Sequence, residues 1–210
     1  MATFRTKSLL RREEYRALSV LSINGSILDV GGSKKSGYHE LIKGTHTITT
    51  GNIDASYGAD VIFDAEKRWD FADSSFEGVL LVNLLEHLYH YQNAVSEAHR
   101  VLKQGGTLAG VVPFMFNVHG SPNDHFRYTR STLERMFQDA GFTQIKITEL
   151  GTGAFSVIYH CLIGLVRFDW LATPLIALAT FFDHLIARLK PNNKLSAKEM
   201  PLGYYFEVRK

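Results

Sequence analysis

The chain has 210 residues, 45% hydrophobic and 21% charged, the balance of one globular domain and neither a disordered segment nor a coiled coil. A formal net charge of +2 is too small to advertise a nucleic-acid surface. The single cysteine, Cys161, excludes an internal disulfide, and its apolar surroundings predict a buried thiol in a reducing compartment.

The N-terminal stretch mixes Arg5, Lys7, Arg11 and Arg12 with Glu13 and Glu14 and lacks the apolar run of a secretory signal, so the expected location is the cytoplasm. Residues 1–25 are read as an N-terminal unit whose leucines, Leu9, Leu10, Leu18 and Leu21, predict an amphipathic helix ending at Asn24 and Gly25. From 26 to 150 strands alternate with helices. Ile27, Leu28 and Val30 form a buried strand that runs into Gly31 and Gly32, and residues 37–43 suggest a short helix. Further strands are expected over 46–50, 59–63, 78–82 and 107–112. A helix over 91–102 presents Ala94, Val95, Ala98 and Val101 on one face and stops at Gly105 and Gly106. A second helix follows Thr129 with Ser131 as its N-cap and Glu134 three residues on, and Ile145 and Ile147 alternate with polar residues as in a strand. Such alternation predicts a parallel sheet covered on both faces.

The pattern changes over 151–190, where Leu171, Leu175, Leu178, Phe182, Leu185 and Leu189 recur at helical spacing and Pro174 falls in a first turn. Two helices are expected here, both shorter than the roughly 20 apolar residues of a spanning helix. Three readings of this insert stay open: a cover on the domain's own core, a homodimer interface, or an interfacial hairpin on a membrane. The last draws on Arg167, Phe168 and Trp170 at the bend and on Arg188, Lys190, Lys194 and Lys198 after it. Residues 191–210 form a polar loop and a returning strand over 204–208.

The glycine turn after the first strand is the place where an open parallel sheet binds ligands. It is not a P-loop, because Tyr38 and His39 follow Gly37 where Lys and Ser or Thr are needed, and Ser33 and Ser36 break the dinucleotide pattern. The turn belongs to an ordered set: Asp29-Val30-Gly31-Gly32, Asp64-Ala65, Ser75-Phe76-Glu77-Gly78-Val79, Asn83-Leu84-Leu85-Glu86-His87, and the run from Glu97 to Gly106. In that order and spacing the chain resembles the class I S-adenosylmethionine-dependent methyltransferases from Ile27 to about Leu150.

The resemblance implies a doubly wound, Rossmann-like α/β fold. Its seven-stranded, mostly parallel sheet would carry helices on both faces, with the apolar two-helix insert before the last strand. It also implies S-adenosyl-L-methionine as cofactor, held by Asp29, Gly31, Gly32 and Ser33 at the methionine end, by Asp64 and Ala65 at the adenine, and by Asn83 beside the sulfonium. Where the family places an acid for the ribose hydroxyls this chain has Asn52, with Asp54 two residues on.

The segment from Val112 to Thr129, with His119 before Gly120-Ser121-Pro122, then Asp124 and Arg127-Tyr128-Thr129, resembles the acceptor loop of methyltransferases from bacterial surface-polysaccharide and lipopolysaccharide clusters. This implies O-methylation of a sugar hydroxyl in a lipid-linked or surface glycan. A small lipid or quinone-like acceptor is the alternative within enzymes, and an inactive cofactor-binding scaffold the alternative outside them. His119 is the candidate base and Asp124 its orienter or a hydrogen-bond partner of a sugar hydroxyl; a His119 that only pins the loop is the competing reading. Glu86, His87, Arg127 and Tyr128 are the candidate acceptor-binding residues. A metal reading of His119, Asp124 and His125 is weaker for want of a third strong ligand, so no metal is expected.

Overall fold

The computed structural model describes residues 8–120, 122–165, 168–191 and 193–210, with nothing on the side chain of Asp169. Arg5, Lys7, Ser121, Arg167 and that side chain therefore lie outside the described residues. In chain order the main elements are α1 (Leu9–Leu18), β1 (Gly25–Val30), β2 (His46–Asn52), β3 (Val61–Ile62), β4 (Phe76–Val82), α2 (Tyr91–Val101) and β5 (Leu102–Pro113). They continue with α3 (Arg130–Asp139), β6 (Thr143–Leu150), α4 (Ala154–Leu162), α5 (Ala172–Leu189) and β7 (Gly203–Arg209).

The seven strands form one sheet in the order β3-β2-β1-β4-β5-β7-β6. All pairings from β3 to β5 are parallel, and β7 runs antiparallel to both its neighbours. The sheet separates two cores. Val79, Leu81, Leu108 and Val112 point with α2 and α3 into one, whereas Leu80, Ala109 and Val111 point with α1, α4 and α5 into the other. β4 is therefore apolar on both faces, as a central parallel strand must be.

Several expectations need correction. The strand expected over 59–63 shrinks to two residues, since Asp60 turns back to accept from the Thr50 amide at 3.0 Å and hydroxyl at 2.8 Å. The short helix over 37–43 is one 3-10 turn, His39–Leu41. The N-cap of α3 is Thr129, whose hydroxyl accepts from the Thr132 amide, while Ser131 lies inside the helix and Glu134 pairs with Arg130 at 3.2 Å. Cys161 is exposed, because the apolar stretch around it turns only one side to the core.

The insert is an antiparallel pair held by one acid. Gly153, the residue before α4, has no side chain to cap it, and Asp183 of α5 does so instead. Its carboxylate accepts from the Phe155 and Ser156 amides at 2.9 Å each and from the Ser156 hydroxyl at 2.7 Å. Asp183, Ala172, Ile176 and Ala179 form the buried side of α5. Its other side leaves Leu178, Phe181 and Leu189 between 52% and 71% exposed.

Candidate functional site

The chain leaves β1 outward to β2 and β3 and returns to β4 on the other side, so the crossovers diverge at the C-terminal ends of β1 and β4 and open a crevice there. β1 ends in Gly31, whose φ of +83° suits glycine. At Gly32 a Cβ atom would stand 1.8 Å from Oδ2 of Asp29, so the turn closes only because that side chain is missing. Asp29 is fully buried, and its Oδ2 accepts from the Tyr38 hydroxyl at 2.8 Å and from His39 Nε2 at 2.6 Å. Oδ1 has no partner among the described residues. Burial and the adjacent carboxylate hold the Tyr38 phenol well above its usual range.

Asn52, expected at the ribose, is spent on the turn itself. Its Nδ2 donates to the carbonyls of Gly31 at 3.0 Å and Gly32 at 3.2 Å, and its Oδ1 accepts from the Asp54 amide. A carboxylate could not donate these bonds, so the amide here stabilises loop geometry. Ser33 closes the next step: its amide donates to Ser36 Oγ, its hydroxyl accepts from the Lys35 amide, and Lys34 is tied to Asp60 at 2.7 Å. Asp54 is exposed and accepts from the Ser56 amide, which lowers its pKa.

Asp64 forms a turn of its own, accepting from the Glu66 amide at 2.9 Å and pairing with Lys67 at 3.2 Å. Ala65 is buried, and its carbonyl receives the indole N–H of Trp69. Asn83 closes β4 at a φ of +50° and donates through Nδ2 to Glu14 Oε1 at 3.2 Å. Glu14 is the residue that sequence reasoning missed. It is 2% exposed, and desolvation raises its pKa. A signal existed, because Glu14 lies four residues after Leu10 and four before Leu18, within the apolar stripe of α1.

On the acceptor side a one-turn helix, Leu85–His87, follows Asn83 and faces the loop after β5. Asp124 and Arg127 form a two-pronged ion pair, with nitrogen to oxygen distances of 2.5 and 2.7 Å. Arg127 also donates to the carbonyls of Asn117 and Phe126, and Asp124 accepts from the His119 amide at 2.8 Å. The guanidinium holds the Asp124 carboxyl well below the usual carboxylate range. Both side chains therefore clamp the loop: Arg127 is spent on it and not on an acceptor, whereas Asp124, expected as the orienter of His119, lies with Oδ2 3.4 Å from Nδ1 of that ring. Tyr128 is likewise corrected: it is buried, and its hydroxyl donates to the Leu85 carbonyl at 2.9 Å. His125 packs its ring against Tyr89 at a centroid distance of 5.4 Å, and among the described residues the group of side chains spaced for a metal ion is Glu86, His87 and His119, without His125.

What remains is a cluster of three. Glu86 is fully buried with neither carboxylate oxygen hydrogen-bonded, and desolvation pushes its pKa up to about 8. Nε2 of His87 lies 3.8 Å and Nε2 of His119 3.9 Å from Glu86 Oε1. Burial lowers the pKa of His87. The His119 side chain is 33% exposed and forms the open wall of the cluster.

Residues 47–110 match the family model described as a methyltransferase domain. A search of the curated proteins finds no match. Among solved structures the chain is similar to an S-adenosylmethionine-dependent methyltransferase from Archaeoglobus fulgidus, at 15% identity and a TM-score of 0.61, covering 100% of this chain and 97% of that one. It is also similar to a protein from Thermotoga maritima described as a possible histamine N-methyltransferase, at 16% identity and a TM-score of 0.61, covering 100% and 92%. A third is a phosphoethanolamine N-methyltransferase from Haemonchus contortus, in complex with phosphomonomethylethanolamine and S-adenosylhomocysteine. It shows 14% identity, a TM-score of 0.57 and coverage of 90% of this chain, which spans about half of that enzyme, 49%. At these identities the structures speak for the fold. The family segment speaks for a methyltransferase domain. At the crevice a glycine turn that a Cβ would block lies beside a buried carboxylate with one oxygen unpartnered, and these residues fit the S-adenosylmethionine that the sequence resemblance implies.

Proposed function

We propose that this chain methylates a hydroxyl group of an acceptor seated against the loop after β5, and that the acceptor is a sugar of a lipid-linked or surface glycan. The observation that carries the acceptor site is the Glu86, His87 and His119 cluster, whose facing side-chain atoms the fold leaves unspent on the acceptor side of the crevice. The glycan reading is supported by the sequence pattern from Val112 to Thr129.

When bound, S-adenosylmethionine supplies a methyl group already activated by its sulfonium. Gly31 and Gly32 would lie along its methionine end with Asp29 beneath them, Asp64 and the Ala65 backbone at the adenine, and Asn83 next to the reacting carbon. Asn52 and Ser33 act by shaping the turn. The protein's task is alignment and removal of the acceptor proton. His119 suits the second. Its Nδ1 faces the Asn117 carbonyl at 3.2 Å and Asp124 Oδ2 at 3.4 Å, both acceptors, so Nδ1 carries the hydrogen and Nε2 is left to take a proton. The hydroxyl proton of the acceptor would pass to Nε2 of His119 as the methyl group is transferred.

His119→Ala is expected to leave cofactor affinity nearly unchanged and to lower turnover about 100-fold or more. Mass spectrometry of candidate glycan acceptors, alongside calorimetry with S-adenosylmethionine, checks both. A wild-type rate in the variant would reduce His119 to a loop residue. Tight cofactor binding with no product from any sugar, lipid or quinone-like acceptor would favour the inactive scaffold.

The exposed side of the insert supports contact with the inner face of a membrane. α5 is 18 residues long, about 27 Å at the helical rise, and apolar enough to cross a bilayer by length and composition, yet only 22% of it is buried. Trp170 is 72% and Phe168 53% exposed at the bend. Aromatic side chains beside an apolar face and basic residues beyond it suit an interfacial helix pair. The protein should sediment with anionic liposomes, less so as salt rises, and Trp170→Ser with Phe182→Ser should weaken this. A stable dimer that stays in the supernatant at low salt would assign the face to self-association.

A further inference from the structure

Glu86, His87 and His119 carry more than one proton acceptor. A carboxylate removed from water keeps company with hydrogen-bond donors or with a cation, because an unpartnered buried acid costs several kcal/mol. Glu86 has neither among the described residues, although its two oxygens are inaccessible to solvent. Two imidazole nitrogens face one of those oxygens.

The histidines are also held in the tautomer a cation needs. Nδ1 of His87 lies 2.6 Å from the Asn123 carbonyl, which can only accept, so that nitrogen carries the hydrogen and Nε2 presents a lone pair. Nδ1 of His119 is fixed in the same way by the Asn117 carbonyl and by Asp124, whose own position is locked by Arg127. Ligating histidines are oriented by such a second partner on the other ring nitrogen. One atom from each of the three residues lies within 4.8 Å of the others. Bonds of about 2.0–2.2 Å to a tetrahedral ion place ligand atoms roughly 3.3–3.6 Å apart, against 3.8 and 3.9 Å to Glu86 and at most 4.8 Å between any two of the three, so side-chain rotation is needed to close the shell.

We propose that Glu86, His87 and His119 form a binding site for one divalent transition-metal cation of the zinc type, with a fourth position open on the exposed side of His119. Two imidazoles and a carboxylate suit such an ion better than magnesium, which prefers an all-oxygen shell. This replaces the expectation of no metal, and it replaces the weaker grouping of His119, Asp124 and His125, since Asp124 is bound to Arg127 and stands behind a ligand. A cation and a proton compete for Nε2 of His119, so occupancy decides whether this nitrogen serves as ligand or as base. The site stands independently of the methyl-transfer reading.

The test is calorimetric titration of Zn2+ into the full chain, stripped with a chelator and free of cofactor, with Co2+ as a coloured substitute and Mg2+ as control. One Zn2+ per chain is expected, with Co2+ absorption typical of four-coordinate geometry. His87→Ala, His119→Ala and the isosteric Glu86→Gln should each weaken Zn2+ at least about 10-fold, while His184→Ala, on the exposed side of α5, should not. Cooperative thermal unfolding of each variant establishes that it is folded, and His119, a third exposed, is the substitution least able to disturb the core. No Zn2+ uptake at millimolar concentration, or uptake unchanged in all folded variants, would overturn the proposal. S-adenosylmethionine binding is measured on the same stripped protein. Its failure with Zn2+ binding intact would strike the methyl-transfer reading alone.

Discussion

The two walls of the crevice are built on opposite plans. On the cofactor wall, at the ends of β1 and β2, polar side chains turn inward to shape the backbone: Asn52 grips Gly31 and Gly32, and Asp29 fills the space a Gly32 Cβ would need. On the acceptor wall the loop is clamped by Asp124, Arg127 and Tyr128, and a different set, Glu86, His87 and His119, is left with unspent polar atoms. A ligand on the first wall meets backbone geometry and, among the described residues, a single unpartnered carboxylate oxygen, Oδ1 of Asp29; a ligand on the second meets a cluster of side-chain lone pairs. Substitutions should therefore act through shape on one side and through chemistry on the other.

The sharpest break is expected at Gly32→Ala. The added carbon would overlap a carboxylate that is itself pinned by Tyr38 and His39, so the turn must open, at a cost of about 3 kcal/mol or more. S-adenosylmethionine binding should be lost in calorimetry and the melting temperature should fall, although no ligand-facing polar group has been removed.

Arg127→Ala tests the acceptor wall and should cost about 2 kcal/mol or more, since it strands a carboxylate that is 3% exposed. The loop should become sensitive to protease while cofactor affinity holds. The pH dependence has a definite sign. Arg127 depresses the Asp124 pKa in the folded state, so the stabilisation is present above the unfolded value of about 4 and disappears as pH falls through the depressed one. The gap in melting temperature between wild type and variant should narrow as pH falls below about 4, where the Asp124 contribution is lost.

Asn52→Asp gives the smallest effect and the most specific one. If the residue held ribose hydroxyls, an acid there would strengthen cofactor binding. Because Nδ2 donates to two carbonyls, the acid should instead weaken it and destabilise the turn by about 1 to 2 kcal/mol. Tighter binding by the variant would restore the ribose role.

Much of the fold was legible in the chain because burial imposes periodicity. The apolar run of β4, the alternation around Ile145 and Ile147, and the stripe of α2 announce their elements locally. Local signals failed where a distant residue supplied the missing piece: α4 is capped by Asp183, which lies in a different helix. The Thr129 cap was misplaced by two residues because Ser131 and Glu134 imitate a capping box, and the hydroxyl that reaches a free amide is the earlier one.

The sequence by itself determined the order of strands and helices, the glycine turn at Gly31 and Gly32, and the residue types at the crevice, since each rests on steric or apolar rules that act over a few neighbouring residues. Only the tertiary structure decided what those polar residues do. Asn52, Asp124, Arg127 and Tyr128 have partners that come from other elements or from across a loop, and Glu86 has none among the described residues. A polar side chain's free valence is what remains after the fold has taken its share. That remainder depends on packing between segments far apart in the chain.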